Sequence, residues 1–148
     1  MRATAIRNNK GMTLVEVLVA LLISLMVFLA LMQTALVSID SNMRNVLRDE
    51  AVRVADTRMN TIRSLPYETV VSDAGALTDC SSACPTDFPT TGWCAPAKKI
   101  RGITDFRYCT NLASTDLGVD TKQVTITVGW KWKGEDYRHS IQTIRRRL

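Results

Sequence analysis

The sequence predicts an α+β fold in which one long amino-terminal helix, apolar enough in its first half to span a membrane, packs on a small antiparallel β-sheet. Three observations predict it: 23 consecutive uncharged residues from Val17 to Ile39, an amphipathic pattern that continues from there to Pro66, and a strictly alternating segment from Lys122 to Lys133. A length of 148 residues suits one small domain. With 46% hydrophobic residues and no low-complexity run, the chain is neither collagenous nor wholly disordered.

The uncharged stretch lies between Glu16 and Asp40, and only Ser24, Gln33, Thr34 and Ser38 in it are polar. As a helix it reaches roughly 34 Å, enough for a hydrocarbon core of about 30 Å. The formal charge of +5 could point to nucleic acid, but Arg2, Arg7 and Lys10 supply three of those charges before the stretch begins. A basic flank holds that end in the cytoplasm and places the rest of the chain, all four cysteines included, across the membrane. The stretch is too long for a secretory signal peptide, and no A-x-A site follows it closely.

Lys10-Gly11-Met12-Thr13-Leu14-Val15-Glu16, followed by Val17-Leu18-Val19-Ala20-Leu21-Leu22, resembles the processing site of type IV prepilins and pseudopilins. In those families a membrane-embedded aspartic prepilin peptidase cuts after the Gly of a short basic leader and methylates the new amino terminus. The resemblance implies that Gly11 ends the leader and that Met12, standing where most members carry Phe, becomes the mature N-terminus. It divides the chain into a leader (1–11), a transmembrane and assembly half-helix (12–39), an amphipathic half-helix (40–65) and a periplasmic, disulfide-stapled head (66–148).

Glu16 also has a physical reading. A carboxylate at the bilayer centre costs roughly 2.5 to 3.5 kcal/mol on insertion scales and normally has a partner. Positions 12, 13, 19 and 20 are Met, Thr, Val and Ala, so no basic residue lies on an adjacent turn. The partner must come from another chain or from the amine that cleavage creates at Met12. In the resembled families this Glu faces the N-terminal amine of a neighbouring subunit.

Beyond the span, Leu36, Ile39, Met43, Val46 or Leu47, Ala51, Val54 and Ile62 recur near three-to-four spacing, with Arg44, Arg48, Arg53, Arg58 and Arg63 on the other faces as a solvated surface. No Gly or Pro interrupts Met12 to Leu65, so one helix of about 80 Å is expected. Pro66 stops it. Major pilins often carry a Gly and a Pro that kink or melt this region, so their absence fits a minor subunit or pseudopilin.

Tyr67 to about Gly102 holds three prolines and three cysteines and reads as a long irregular loop. A loop of that length needs staples or a function. Cys80, Cys84, Cys94 and Cys109, an even set in an oxidising compartment, supply two disulfides with three possible connectivities. Joining nearest neighbours gives Cys80 with Cys84 and Cys94 with Cys109, and nested pairing stays open. The spacing matches neither paired C-x2-C zinc sites nor a C-x-x-C redox motif.

From Lys122 to Lys133 the residues Val124, Ile126, Val128, Trp130 and Trp132 share one face of a half-buried strand, with both Trp residues in the core. Gly134-Glu135-Asp136 reads as a turn, Tyr137–Ile144 as the returning strand, and Ile103–Cys109 as a weaker strand. This hairpin loosely resembles the C-terminal ends of PilV-type minor pilins and of minor pseudopilin I of type II secretion. The 82 residues after Pro66 need the helix face and the disulfides to complete a core.

No enzyme constellation emerges. His139 is the only histidine and sits mid-strand at the surface or rim; Arg145-Arg146-Arg147 reads as a solvated tail. No cofactor, metal or nucleic acid is implied. The resemblance implies a PilV-like minor pilin that helps initiate or cap a type IV pilus, with a type II secretion pseudopilin and a DNA-uptake competence pseudopilin as alternatives. Its implied partners are prepilin peptidase, other minor pilins, the major pilin, the assembly platform and the bilayer of the inner membrane. The head is periplasmic first and later on the pilus surface.

Overall fold

The computed structural model describes residues 13–78 and 80–147. Among the described residues one α-helix, α1 (Leu14–Ser64), is followed by six strands: β1 (Trp93–Cys94), β2 (Lys98–Ile100), β3 (Ile103–Phe106), β4 (Cys109–Gly118), β5 (Thr121–Trp132) and β6 (Glu135–Arg146). The chain divides into two units, Met1–Asn42 and Met43–Leu148.

In the first unit the apolar residues of α1 from Leu14 to Ile39 are exposed. Leu36 and Ile39, expected on the packed seam, belong to this exposed set. The seam proper lies in the second unit, where Leu47, Ala51, Ala55, Met59 and Ile62 are buried at helical spacing. Ala55 and Met59 complete a stripe that Ala51, Val54 and Ile62 only outlined.

The main sheet has the order β1-β4-β5-β6, and its described pairings are antiparallel. Val124, Ile126, Val128 and Trp130 pack with Leu112 and Tyr108 against the helix stripe, as the alternation predicts. Tyr108 stands edge-on to Phe106 at 5.1 Å and to Trp130 at 5.8 Å, while Trp130 stacks on Tyr137 at 5.6 Å. The Tyr108 hydroxyl donates to the Leu47 carbonyl at 2.9 Å, and burial pushes its ionisation well above the ordinary tyrosine range.

Two sequence expectations are corrected here. The β5–β6 turn is Lys133-Gly134, because Trp132 pairs with Glu135 and both turn residues have positive φ (49° and 82°). That is the type I′ geometry, whose twist matches the strands. Glu135 and Asp136 therefore belong to β6, which runs on to Arg146. The second correction is β4 itself, a ten-residue strand beginning at Cys109 where a weaker strand was expected to end. Its sequence, Cys-Thr-Asn-Leu-Ala-Ser-Thr-Asp-Leu-Gly, lacks apolar alternation. Thr110 and Asn111 are buried nonetheless, because side-chain hydrogen bonds to the Trp93 and Thr91 carbonyls satisfy them.

Candidate functional site

The amino-terminal site begins with helix chemistry. The four leading N–H groups of an α-helix lack intrahelical acceptors. Thr13 supplies one: its hydroxyl accepts the Glu16 N–H at 3.2 Å, while its carbonyl accepts the Val17 N–H at 3.2 Å. Thr13-Leu14-Val15-Glu16 thus has the Thr-x-x-Glu spacing of a capping box, a helix-start signal carried by the sequence itself. Glu16 in the first turn also complements the positive end of the helix dipole. Among the described residues its carboxylate makes no ion pair. Gly11 and Met12, the expected cleavage pair, lie outside the described residues.

The head carries a second constellation, built around a residue expected to be solvated. The Arg58 side chain is only 14% exposed. Its Nη2 donates to both Asp73 carboxylate oxygens at 2.6 Å, and its Nη1 donates to the Thr110 hydroxyl. Asp73 Oδ2 also accepts the Leu112 N–H at 2.7 Å, and Ser72 Oγ accepts that of Ser114 at 2.9 Å. Ser72 and Asp73 thereby occupy the free edge of β4 and tether the loop after the helix to both helix and sheet. The terminal arginines are likewise engaged rather than a free tail. Arg145 donates to the Ile62 and Leu65 carbonyls at 2.8 and 2.9 Å, closing the helix C-terminus, and Arg147 pairs with Glu68 at 2.7 Å.

The cysteines correct the nearest-neighbour pairing. Cys80 is joined to Cys94 and Cys84 to Cys109, an interleaved arrangement with Cα separations of 5.9 and 5.6 Å. The register explains it: Cys94 and Cys109 already sit opposite each other on β1 and β4, and each bonds outward to one end of the single helical turn Ser81–Ala83. The turn is bolted to the sheet through two strands. Leu77, Phe88 and the cysteines form a second core on the sheet face opposite the helix. Gly129 makes room for it, since a Cβ there would lie 2.6 Å from Phe88 Cδ2 and 2.8 Å from Pro85 Cδ. The Sγ atoms of Cys80, Cys84 and Cys109 cluster, but sulfur bonded in a disulfide is no thiolate ligand.

His139 lies across from Val128, half-buried, and its Nε2 has no hydrogen-bond partner among the described residues. Neither arrangement presents a nucleophile beside a base, so the geometry offers anchoring and tethering.

Among known families, the prokaryotic N-terminal methylation motif matches residues 6–32. No curated protein and no solved structure matches the chain. The matched span contains Gly11, Met12, the Thr13 cap, Glu16 and the start of a helix long and apolar enough to cross a membrane. The chain therefore bears the prokaryotic N-terminal methylation motif, a type IV pilin-like prepilin signal, over residues 6–32, together with a helix long and apolar enough to cross a membrane, ahead of an α+β head.

Proposed function

We propose that this chain is a PilV-like minor pilin, cut after Gly11 by prepilin peptidase, methylated at Met12, and inserted through Glu16 into the complex that initiates or caps a type IV pilus. The observation that carries this reading is the methylation motif over residues 6–32, whose residues from Leu14 onward belong to the exposed apolar half of α1. Support for a minor subunit comes from α1, which runs from Leu14 to Ser64 without a Gly or Pro. The four segments drawn from the resemblance belong to the same proposal: leader, membrane half, amphipathic half and periplasmic head, with other pilins and the assembly platform as partners.

Two measurements test it. N-terminal mass spectrometry from cells with active prepilin peptidase should find a chain beginning at methylated Met12; an intact leader would reject processing. Deleting the gene and scoring surface pili, protein secretion and DNA uptake side by side should reduce piliation. Loss of secretion with normal pili would assign the chain to a type II secretion apparatus instead.

A further inference from the structure

Two features of the head face solvent and match each other in chemistry. The first is the tip of the β4–β5 hairpin, Asp116-Leu117-Gly118-Val119-Asp120. Hairpin tips favour Asn, Asp, Gly and Ser, which solvate well and tolerate left-handed backbone. Here Asp120 takes the left-handed position (φ 61°), yet Val119 is 92% and Leu117 53% exposed. Two aliphatic side chains are held out in water between two carboxylates.

The second is a groove of about 530 Å³ between the helix and the segment from Trp93 to Lys98. Val54, Ile62, Trp93, Ala95 and Tyr108 form its apolar walls, and Arg53, Arg58 and Lys98 supply its charge. Arg58 is committed to Asp73, while Arg53 and Lys98 share Glu50 and keep 79% and 55% of their side chains exposed. One carboxylate against two cations leaves the rim net positive.

We propose that the hairpin tip of one copy seats in this groove of a second copy of this chain. Val119 and Leu117 enter against Trp93 and Val54, while Asp116 and Asp120 meet Arg53 and Lys98 at the rim. Burial of the aliphatic pair supplies affinity, and the rim charges set orientation. Tip and groove are different surfaces, so the contact is heterologous rather than that of a two-fold dimer, and a pair joined by it still offers one free tip and one free groove. The Asp120 carbonyl accepts the Arg147 N–H at 2.9 Å, while its carboxylate meets the Arg147 guanidinium at 3.6 Å with both side chains about half exposed, a weak ion pair that can exchange partners.

The test uses the full-length chain in its membrane, with a photo-crosslinking phenylalanine analogue at Val119 and a co-expressed, epitope-tagged second copy. Irradiation should give a product of about twice the chain mass containing both copies, with the crosslinked peptide carrying Thr57–Ile62 or Trp93–Lys98 of the tagged copy. Arg53→Glu with Lys98→Glu in the tagged copy should lower the yield about tenfold, and Asp116→Lys with Asp120→Lys in the other should restore at least half, since like charges across a contact are repelled and opposite ones attracted. Thr61→Trp, which fills the groove from an exposed helix position, gives an independent block. Crosslinks confined to one chain, to another protein or to another surface of the tagged copy, or a yield unchanged by both groove variants, would overturn the contact. These readouts are independent of leader cleavage and of piliation, so their failure is distinct from failure of the pilin assignment.

Discussion

Arg58 shows how much one side chain can decide. It is the point where helix, post-helix loop and the edge of β4 meet, and it satisfies Asp73 and Thr110 at once. Truncating one partner of a pair this buried leaves the other charge uncompensated, which costs about 3 to 5 kcal/mol. Arg58→Ala should therefore lower unfolding free energy by about 3 kcal/mol in denaturant titration, whereas Arg53→Ala, at an exposed site, should change it by less than about 1 kcal/mol. His139 gives the opposite sign. Its Nε2 is buried without a partner among the described residues, and an unsatisfied buried polar group costs about 1 to 3 kcal/mol. His139→Val places a β-branched residue across from Val128 and should raise stability by about 1 kcal/mol; a loss would show that the imidazole has a structural contact. The sequence could not announce either residue. Arg58 stands in a series of arginines at similar helical spacing, and what separates it from Arg53 is Asp73, which folding brings to it from 15 positions away. The methylation motif that spans Gly11 and Glu16, in contrast, was legible because its residues are local in sequence.

At the scale of elements, legibility follows range. The helix was readable from periodicity and its stop from Pro66, and β5 from its alternation, because each is a local signal. β4 was hidden since its buried Thr110 and Asn111 are satisfied by loop carbonyls that no pattern within the strand records. The disulfide pairing was hidden for the same reason: β1 and β4 must pair before Cys94 and Cys109 are seen to be opposite each other. Removing the longer-range disulfide by Cys84→Ser with Cys109→Ser should cost about 2 to 4 kcal/mol and make the segment from Ala83 to Pro89 sensitive to protease. A second tie to that segment is titratable. The Thr86 N–H donates to Asp136 Oδ2 at 2.8 Å, and this hydrogen bond, aided by Lys131 and Arg138, holds the Asp136 carboxyl below its ordinary value. A depressed carboxyl contributes its stabilisation above the ordinary value of 3.8 and loses it as pH falls through the folded value. Hydrogen exchange at Thr86 should accelerate, relative to other slow amides, on acidification below about pH 4, and Asp136→Asn should abolish that dependence. An unchanged profile in the variant would remove Asp136 from the tether.

For the whole molecule, the proposed assembly makes Glu16 the decisive residue, a liability in one state and an asset in another. In a membrane-stored monomer the acid sits at the edge of apolar surface, capped to Thr13 through its backbone but with no cation for its carboxylate among the described residues. Burying such a charge is unfavourable, and the low dielectric that makes it so also strengthens any attraction it finds. On the proposed assembly, a neighbouring subunit's N-terminal amine is that partner. Register follows from the same pairing: sliding one helix by a residue separates the charges by about 1.5 Å along the axis and rotates the apolar face by about 100°. On the same proposal neither membrane insertion nor cleavage requires the carboxylate, since insertion would rest on the uncharged run from Val17 to Ile39 and cleavage would act before Met12. Glu16→Ala keeps the Thr13 hydroxyl bond, which uses only the backbone N–H, so the start of the helix survives. The variant should accumulate in the membrane at wild-type level with its leader removed, and drop at least tenfold in sheared pili or crosslinked minor-pilin complexes. Incorporation at the wild-type level would strip Glu16 of its role in assembly, and accumulation of the uncleaved chain would move that role to processing.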